Sequence, residues 1–269
     1  MSLGVGRLVV VGTGIQSVAH LSTQARAAIA AADIVFSQIP DALGLYHLRQ
    51  LSAHVVPLND LYDTAPDRAH AYVAMRERIL TAVRAGQQVC AAFYGHPGVF
   101  VDPSHDALAQ ARAEGFEAVM LPGISAEDCL FADLGVDPAA SGCTSFEATD
   151  FLFYRRRWDP AAALVLWQIG VVGDHRLNLG RPAPGALAAL RDKLMTVYPG
   201  EHHVASYVAA MNVLQSPVID WFPLAELDRA KTSGFATLYV PALTRREPDD
   251  EVLARLGLSL AQVLTGTED

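Results

Sequence analysis

The chain has 269 residues, of which 51% are hydrophobic and 18% charged, and its formal net charge is -9. That length suits two ordinary domains or one large one, and that composition supports a buried core rather than disorder. The acidic balance, with no dense Lys/Arg run beyond Arg155-Arg156-Arg157, argues against nucleic acid as the main partner.

Met1 to Arg7 has no signal-peptide pattern and runs into Leu8–Val11, a β-branched strand followed by the turn Gly12-Thr13-Gly14. Helix is expected over Gln24–Ala32, Asp67–Ala85 and Pro103–Ala113, with Gly86 and Gly115 ending the last two. Strands are expected at Ile34–Phe36, Val55-Val56, Val89–Phe93 and Ala118–Leu121. Ser125–Asp133 is a helix opened by a serine cap and an acidic pair. Strands alternating with helices imply a mainly parallel sheet covered on both faces. After about Gly142 the pattern changes. Strands are expected at Ala163–Ile169, Val204–Val208, Val218–Phe222 and Ala236–Val240, with a helix at Gly185–Val197 and a loop at Gly173–Gly185. The expected organisation is an N-terminal α/β domain over residues 1–140, a C-terminal α/β domain with a mixed sheet over 141–245, and a short helical tail over 246–269. No apolar run approaches the ~18–20 residues of a membrane span, and Cys90, Cys129 and Cys143 lack CxxC spacing. A cytoplasmic protein with no membrane partner is expected.

Several stretches carry chemistry. Gly12-Thr13-Gly14 lacks the third glycine of a dinucleotide fingerprint, Ser17 standing in its place, and Asp33 either binds a ribose or simply opens the second strand. Tyr94-Gly95-His96-Pro97-Gly98-Val99-Phe100 follows a strand, and its glycines and proline let backbone approach a ligand closely. The alternative is an ordinary tight loop. His96 has no partner at metal-ligand spacing, so no metal is expected. In Leu121-Pro122-Gly123-Ile124-Ser125-Ala126-Glu127-Asp128 the helix start either offers free N–H groups to a ligand carboxylate or is plain capping. Arg68 and Tyr72 share a helix face with Met75, Ile79 and Val83. They either mark the border of core and cleft or pack blandly, with Arg68 reaching water.

Taken together, the turn at Gly12, Gly95-His96-Pro97-Gly98 and Pro122-Gly123-Ile124-Ser125-Ala126 resemble the tetrapyrrole methylase superfamily. The stretches from Tyr94 to His105 and from Leu121 to Leu134 are most similar to its borosin peptide α-N-methyltransferases, as are Phe146-Glu147-Ala148, Trp167-Gln168-Ile169-Gly170 and Tyr207–Met211. The resemblance implies two α/β domains, S-adenosylmethionine (leaving as S-adenosylhomocysteine) in the cleft, and a homodimer. It implies that Arg68, Tyr72 and Tyr62 surround an acceptor amide. It places Gly12, Gly14, Tyr94, His96, Val99, Phe100, Ser125, Ala126, Gln168, Tyr207, Ala209, Ala236 and Thr237 on the cofactor. Some fungal members have a further Tyr where Asn59 stands, and Ala236 replaces a Ser seen in relatives. Arg68 would hold the amide oxygen, and Tyr72 or Tyr62 would take the proton if the arginine lowers its phenol pKa. Because Leu264–Asp269 is short and polar, the acceptor is expected on a separate precursor peptide, with a heterotetramer of two enzymes and two precursors as the larger assembly. A precorrin-type C-methyltransferase, or a catalytically silent protein that keeps the cofactor as a structural ligand, are the alternatives.

Overall fold

The computed structural model describes residues 6–174, 180–230, 232–243 and 247–265. The expectations for residues 1–5, for part of the 173–185 loop and for the last four residues lie outside them. The first half runs β1 (Arg7–Gly12), α1 (Thr23–Ala31), β2 (Ile34–Gln38), α2 (Ala42–Leu51), β3 (Val55–Pro57), α3 (Asp60–Thr64), α4 (Arg68–Arg84), β4 (Gln88–Phe93), α5 (Asp102–Ala113), β5 (Glu117–Met120), α6 (Ala126–Leu134) and α7 (Pro138–Ser141). The second runs β6 (Cys143–Glu147), α8 (Ala148–Phe153), β7 (Ala163–Trp167), α9 (Ala186–Leu194), β8 (His203–Val208), β9 (Val218–Pro223) and β10 (Thr237–Val240), then α10 (Asp250–Arg255) and α11 (Leu260–Thr265).

The first sheet has the order β3-β2-β4-β1-β5, and every pair is parallel. Alternate residues of its strands feed two cores. Leu8, Val10, Val89 and Ala91 pack under α4 and α5, whereas Val11, Val35, Cys90 and Ala92 pack under α1 and α2. This two-sided burial explains why its strands read as continuous apolar runs. The second sheet, β6-β7-β10-β8-β9, is mixed: β6 and β7 are parallel and the other pairs antiparallel. The α/β class and both sheet types match the sequence expectation.

Five elements were not expected: α2, α3, β6 and the short helices α7 and α8. α2 is capped by Asp41, whose carboxylate accepts from Gly44 N at 2.6 Å, but Gly44 and a short apolar pattern hide it. α3 is a single short turn of five residues. β6 is a half-buried edge strand without an apolar run, so it gives no periodic signal. Asp33 lies at the amino end of the first sheet, where its carboxylate accepts from Gln88 N at 2.7 Å. It opens β2 at the end of the sheet opposite the strand carboxyl ends, which favours the strand-opening alternative over a ribose contact. Among the described residues no helix is long and apolar enough to cross a membrane.

α6 joins the halves. Its capping box begins just after β5, and its Leu130 is fully buried against Val165, Trp167, Ala205 and Tyr207 of the second sheet. Truncating a buried leucine at such a joint costs about 2–5 kcal/mol. Leu130→Ala is therefore expected to lower the urea midpoint in proportion, with the m-value showing whether the two halves still unfold together.

Candidate functional site

The carboxyl ends of parallel strands are where open α/β sheets receive ligands. Here the carboxyl ends of β2, β4 and β5, those of β7 and β8, and the amino end of β10 converge on a cavity of about 330 Å³. The first half contributes Gln38, Pro40, the Phe93–His96 stretch, Val99 to Val101 and Ser125 to Glu127. The second contributes Trp167, Gln168, Tyr207, Val208, Ala209, Met211, Phe235 and Thr237. A third wall is made by Tyr62, Arg68 and Tyr72 from α3 and α4.

The Gly/Pro loop after β4 is pinned from inside. His96 Nδ1 accepts from Gly98 N at 3.0 Å, His105 Nε2 donates to Gly98 O at 2.9 Å, and Ser104 Oγ donates to Pro97 O and, at 2.8 Å, to Val101 O. His96 is thus committed to shaping the loop, and the described residues contain no cluster that could hold a metal ion. Among the described residues, Phe100 and Gln168 are the two non-glycine residues with positive φ, 56° and 61°, and both line the cavity. That conformation is uncommon for such residues and concentrates at functional sites. Phe100 meets Trp167 edge to face across the cleft at 6.2 Å.

Two phenols tie the halves together. Tyr94 OH donates to Met211 Sδ at 3.1 Å, and burial pushes its pKa up to about 12. Tyr207 OH donates to Asp133 Oδ2 of α6 at 2.7 Å, and burial, then Asp133, raise its pKa strongly. On the third wall Arg68 Nε donates to Tyr72 OH at 2.7 Å, and the guanidinium lies 5.7 Å from both the Tyr62 and the Tyr72 ring centroids. The two rings meet edge to face at 6.3 Å. The Tyr62 phenol sits above its usual pKa, because burial and the neighbouring Tyr72 outweigh the lowering by Arg68.

All the expected site residues line the cavity except Gly12, Gly14 and Ala236. Gly12 is at a backbone crossing: a Cβ there would lie 2.3 Å from Gly95 O and 3.2 Å from Gly123 Cα. Gly14, at φ 72°, would press a Cβ against His20, and it pairs with Gly95 in an isolated bridge. Ala236 is fully buried and accepts from Ile169 N at 2.9 Å, which holds the turn after Gln168. Asn59 lies outside the cavity and donates to Ile39 O at 3.3 Å. At the start of α6, Ser125 Oγ accepts from the N–H groups of Glu127 and Asp128, and Asp128 Oδ2 accepts from Ser125 N, so the capping alternative accounts for these three donors. Gln38, Pro40, Met211 and Phe235 were missed; only the strand-end position of Gln38 was a usable signal.

Residues 7–211 match the model of the Tetrapyrrole (Corrin/Porphyrin) Methylases. The chain therefore belongs to the tetrapyrrole methylase family. It is 40% identical over 257 residues to the methyltransferase/ribosomally synthesized cyclic peptide omphalotin A precursor of Omphalotus olearius, covering 94% of this chain and 62% of that protein. It is 38% identical over 260 residues to the corresponding gymnopeptides precursor of Gymnopus fusipes, covering 95% of this chain and 62% of that protein. Other relatives carry methyltransferase/borosin cyclic peptide precursor names. The chain thus spans less than two thirds of the length of these relatives. Uroporphyrin-III-C-methyltransferase from Thermus thermophilus has the same fold, with a TM-score of 0.64 at 21% identity over 88% of this chain and 92% of that one.

The glycine crossing makes a stability prediction. In Gly12→Ala the new methyl meets backbone that cannot rotate away, and overpacking of this kind costs about 1–3 kcal/mol. The melting temperature is expected to fall by several degrees, read by differential scanning calorimetry.

Proposed function

We propose that this protein is an S-adenosylmethionine-dependent methyltransferase acting on backbone amides of a ribosomally made peptide. The observation that carries the reading is the Arg68–Tyr72 hydrogen bond, with Tyr62 beside it, on the cavity wall facing the second sheet. An amide nitrogen is a poor nucleophile because its lone pair is shared with the carbonyl. Methylating it requires removal of the N–H proton and a donor for the oxygen on which negative charge then settles. Arg68 is a fixed cation with several N–H donors, one of them spent on Tyr72, so the rest of the guanidinium is free to hold that oxygen. Tyr72 would collect the proton as its phenolate, directly or through a water, becoming the neutral phenol, and the Arg68 N–H already directed at its oxygen would stabilise that anion beforehand. Tyr62, whose phenol burial and Tyr72 push above its usual pKa, serves as a second hydrogen-bond donor on the same wall.

The remaining walls suit the cofactor chemically. The cavity lies within the usual size range of small-molecule sites, about 300–1,000 Å³. The rings of Tyr94, Phe100 and Trp167 offer faces to a base or a sulfonium, and Ser125, Gln168 and Thr237 offer polar atoms. When bound, S-adenosylmethionine supplies an electrophilic methyl group and leaves as S-adenosylhomocysteine. The chain's own contribution is to hold the acceptor amide, collect its proton at Tyr72 and exclude water with Val99, Phe100 and Met211. The proposal extends to a homodimer, to the assignment of Tyr94, His96, Val99, Phe100, Ser125, Ala126, Gln168, Tyr207, Ala209 and Thr237 as cofactor-side residues, and to an acceptor on a separate precursor. In the last point it departs from the relatives, whose names join methyltransferase and precursor in one protein.

Removing a preorganised oxyanion donor typically costs about 10²–10³ in rate. Arg68→Ala is expected to lose methyl transfer by that factor while its calorimetric affinity for S-adenosylhomocysteine stays within about twofold. Tyr72→Phe should keep thermal stability and lose rate. Wild-type single-turnover rates in both variants, followed by mass spectrometry on a precursor peptide, would remove them from the mechanism. With cofactor alone, intact-mass increments of about 14 Da on this chain itself would contradict the separate acceptor.

A further inference from the structure

Among the described residues of the cavity wall, two are an Arg or a carboxylate: Arg68 on the acceptor side and Glu127 at the start of α6. Glu127 is half-buried, and among the described residues its carboxylate has neither an ion pair nor a hydrogen bond. Burial, then the adjacent Asp128, holds its carboxyl above the usual carboxylate range. A desolvated acid without a partner is unfavourable by itself, and in a cleft it marks a place where a ligand completes the charge balance.

The helix start beneath it has a corresponding character. Ordinarily the first turn of a helix attracts anions through its open N–H groups. Here those of Glu127 and Asp128 are consumed by the Ser125 hydroxyl, and the Ser125 N–H is taken by Asp128. With the N–H groups of Glu127 and Asp128 taken up and two acids in its first turn, the part of this wall beside Glu127 suits a cation. An ammonium fits the vacancy in hydrogen bonding best, since its N–H groups can satisfy carboxylate lone pairs. A sulfonium has no such donors and suits the aromatic faces of Tyr94 and Phe100 instead.

We propose that Glu127 is the counter-charge for the α-ammonium group of the bound cofactor, so that α6 recognises the cationic end of its amino-acid moiety. The inference rests on the cofactor reading above. It assigns Glu127 a specificity role: nucleosides without an amino-acid tail lose this contact.

The test is titration calorimetry of wild type and Glu127→Gln with S-adenosylhomocysteine, S-adenosylmethionine and 5′-methylthioadenosine, which lacks the amino-acid group. Glutamine keeps the shape and removes the charge, and melting temperatures of both proteins control for folding. A charge-assisted hydrogen bond at a half-buried site corresponds to a weakening of about tenfold. That loss is expected equally for S-adenosylhomocysteine and S-adenosylmethionine, with 5′-methylthioadenosine unchanged within about twofold. Unchanged affinity for S-adenosylhomocysteine overturns the assignment, and so does an equal loss for 5′-methylthioadenosine. A loss confined to S-adenosylmethionine would move the contact to the sulfonium and overturn it as well. If wild type binds none of the three, the cofactor reading itself falls, which is a separate and recognisable result.

Discussion

Three turns of the first half touch through bare backbone. Gly12 follows from β1, Gly95 comes after β4 and Gly123 after β5, and a Cβ on Gly12 or Gly123 would lie within 3.0 Å of the Gly95 carbonyl oxygen. No side chain fits between them, so the three loops at the carboxyl ends of these strands form one packed unit. Everything on the first wall depends on this contact. The Gly/Pro loop starts from it, the capped start of α6 follows directly after it, and both reach the cavity from fixed positions. Interiors packed at this density transmit displacement rather than absorb it, so a small error at the crossing moves several wall residues together.

The second sheet is brought to that wall by contacts that are individually modest. Leu130 of α6 is buried in it, Tyr207 reaches Asp133, Tyr94 reaches Met211, and Phe100 meets Trp167. Phe100 and Gln168 hold positive φ on the two sides of the cleft, at a cost of order 1–3 kcal/mol each. Such strain persists only where the surroundings over-determine it. The cavity is thus shaped by the join between halves as much as by either sheet.

Polarity within the cavity is divided between its walls. The α3 and α4 side carries a cation hydrogen-bonded to a phenol, Arg68 on Tyr72, with the Tyr62 phenol pushed above its usual pKa by burial. The α6 side carries the Glu127 carboxylate. Between them the surface is largely aromatic and aliphatic. The cavity thus presents opposite charges on two of its walls.

Much of this was already written in local sequence. Alternating apolar runs set the parallel sheet, Gly86 and Gly115 ended their helices, and Ser125 with Asp128 set the α6 cap, because each depends on residues a few positions apart. The Arg68/Tyr72 spacing likewise put both on one helix face. What sequence could not decide was which polar groups stay free after packing. Gly12 and Gly14 lie at tight backbone crossings, and the Ser125 hydroxyl takes up two N–H groups of the α6 start. The pKa of Tyr62 is set by burial and by Tyr72, and the charge balance at Glu127 by the absence of any cation among the described residues nearby. Burial and pairing are sums over groups far apart in the chain, and only the tertiary structure brings those groups to one place.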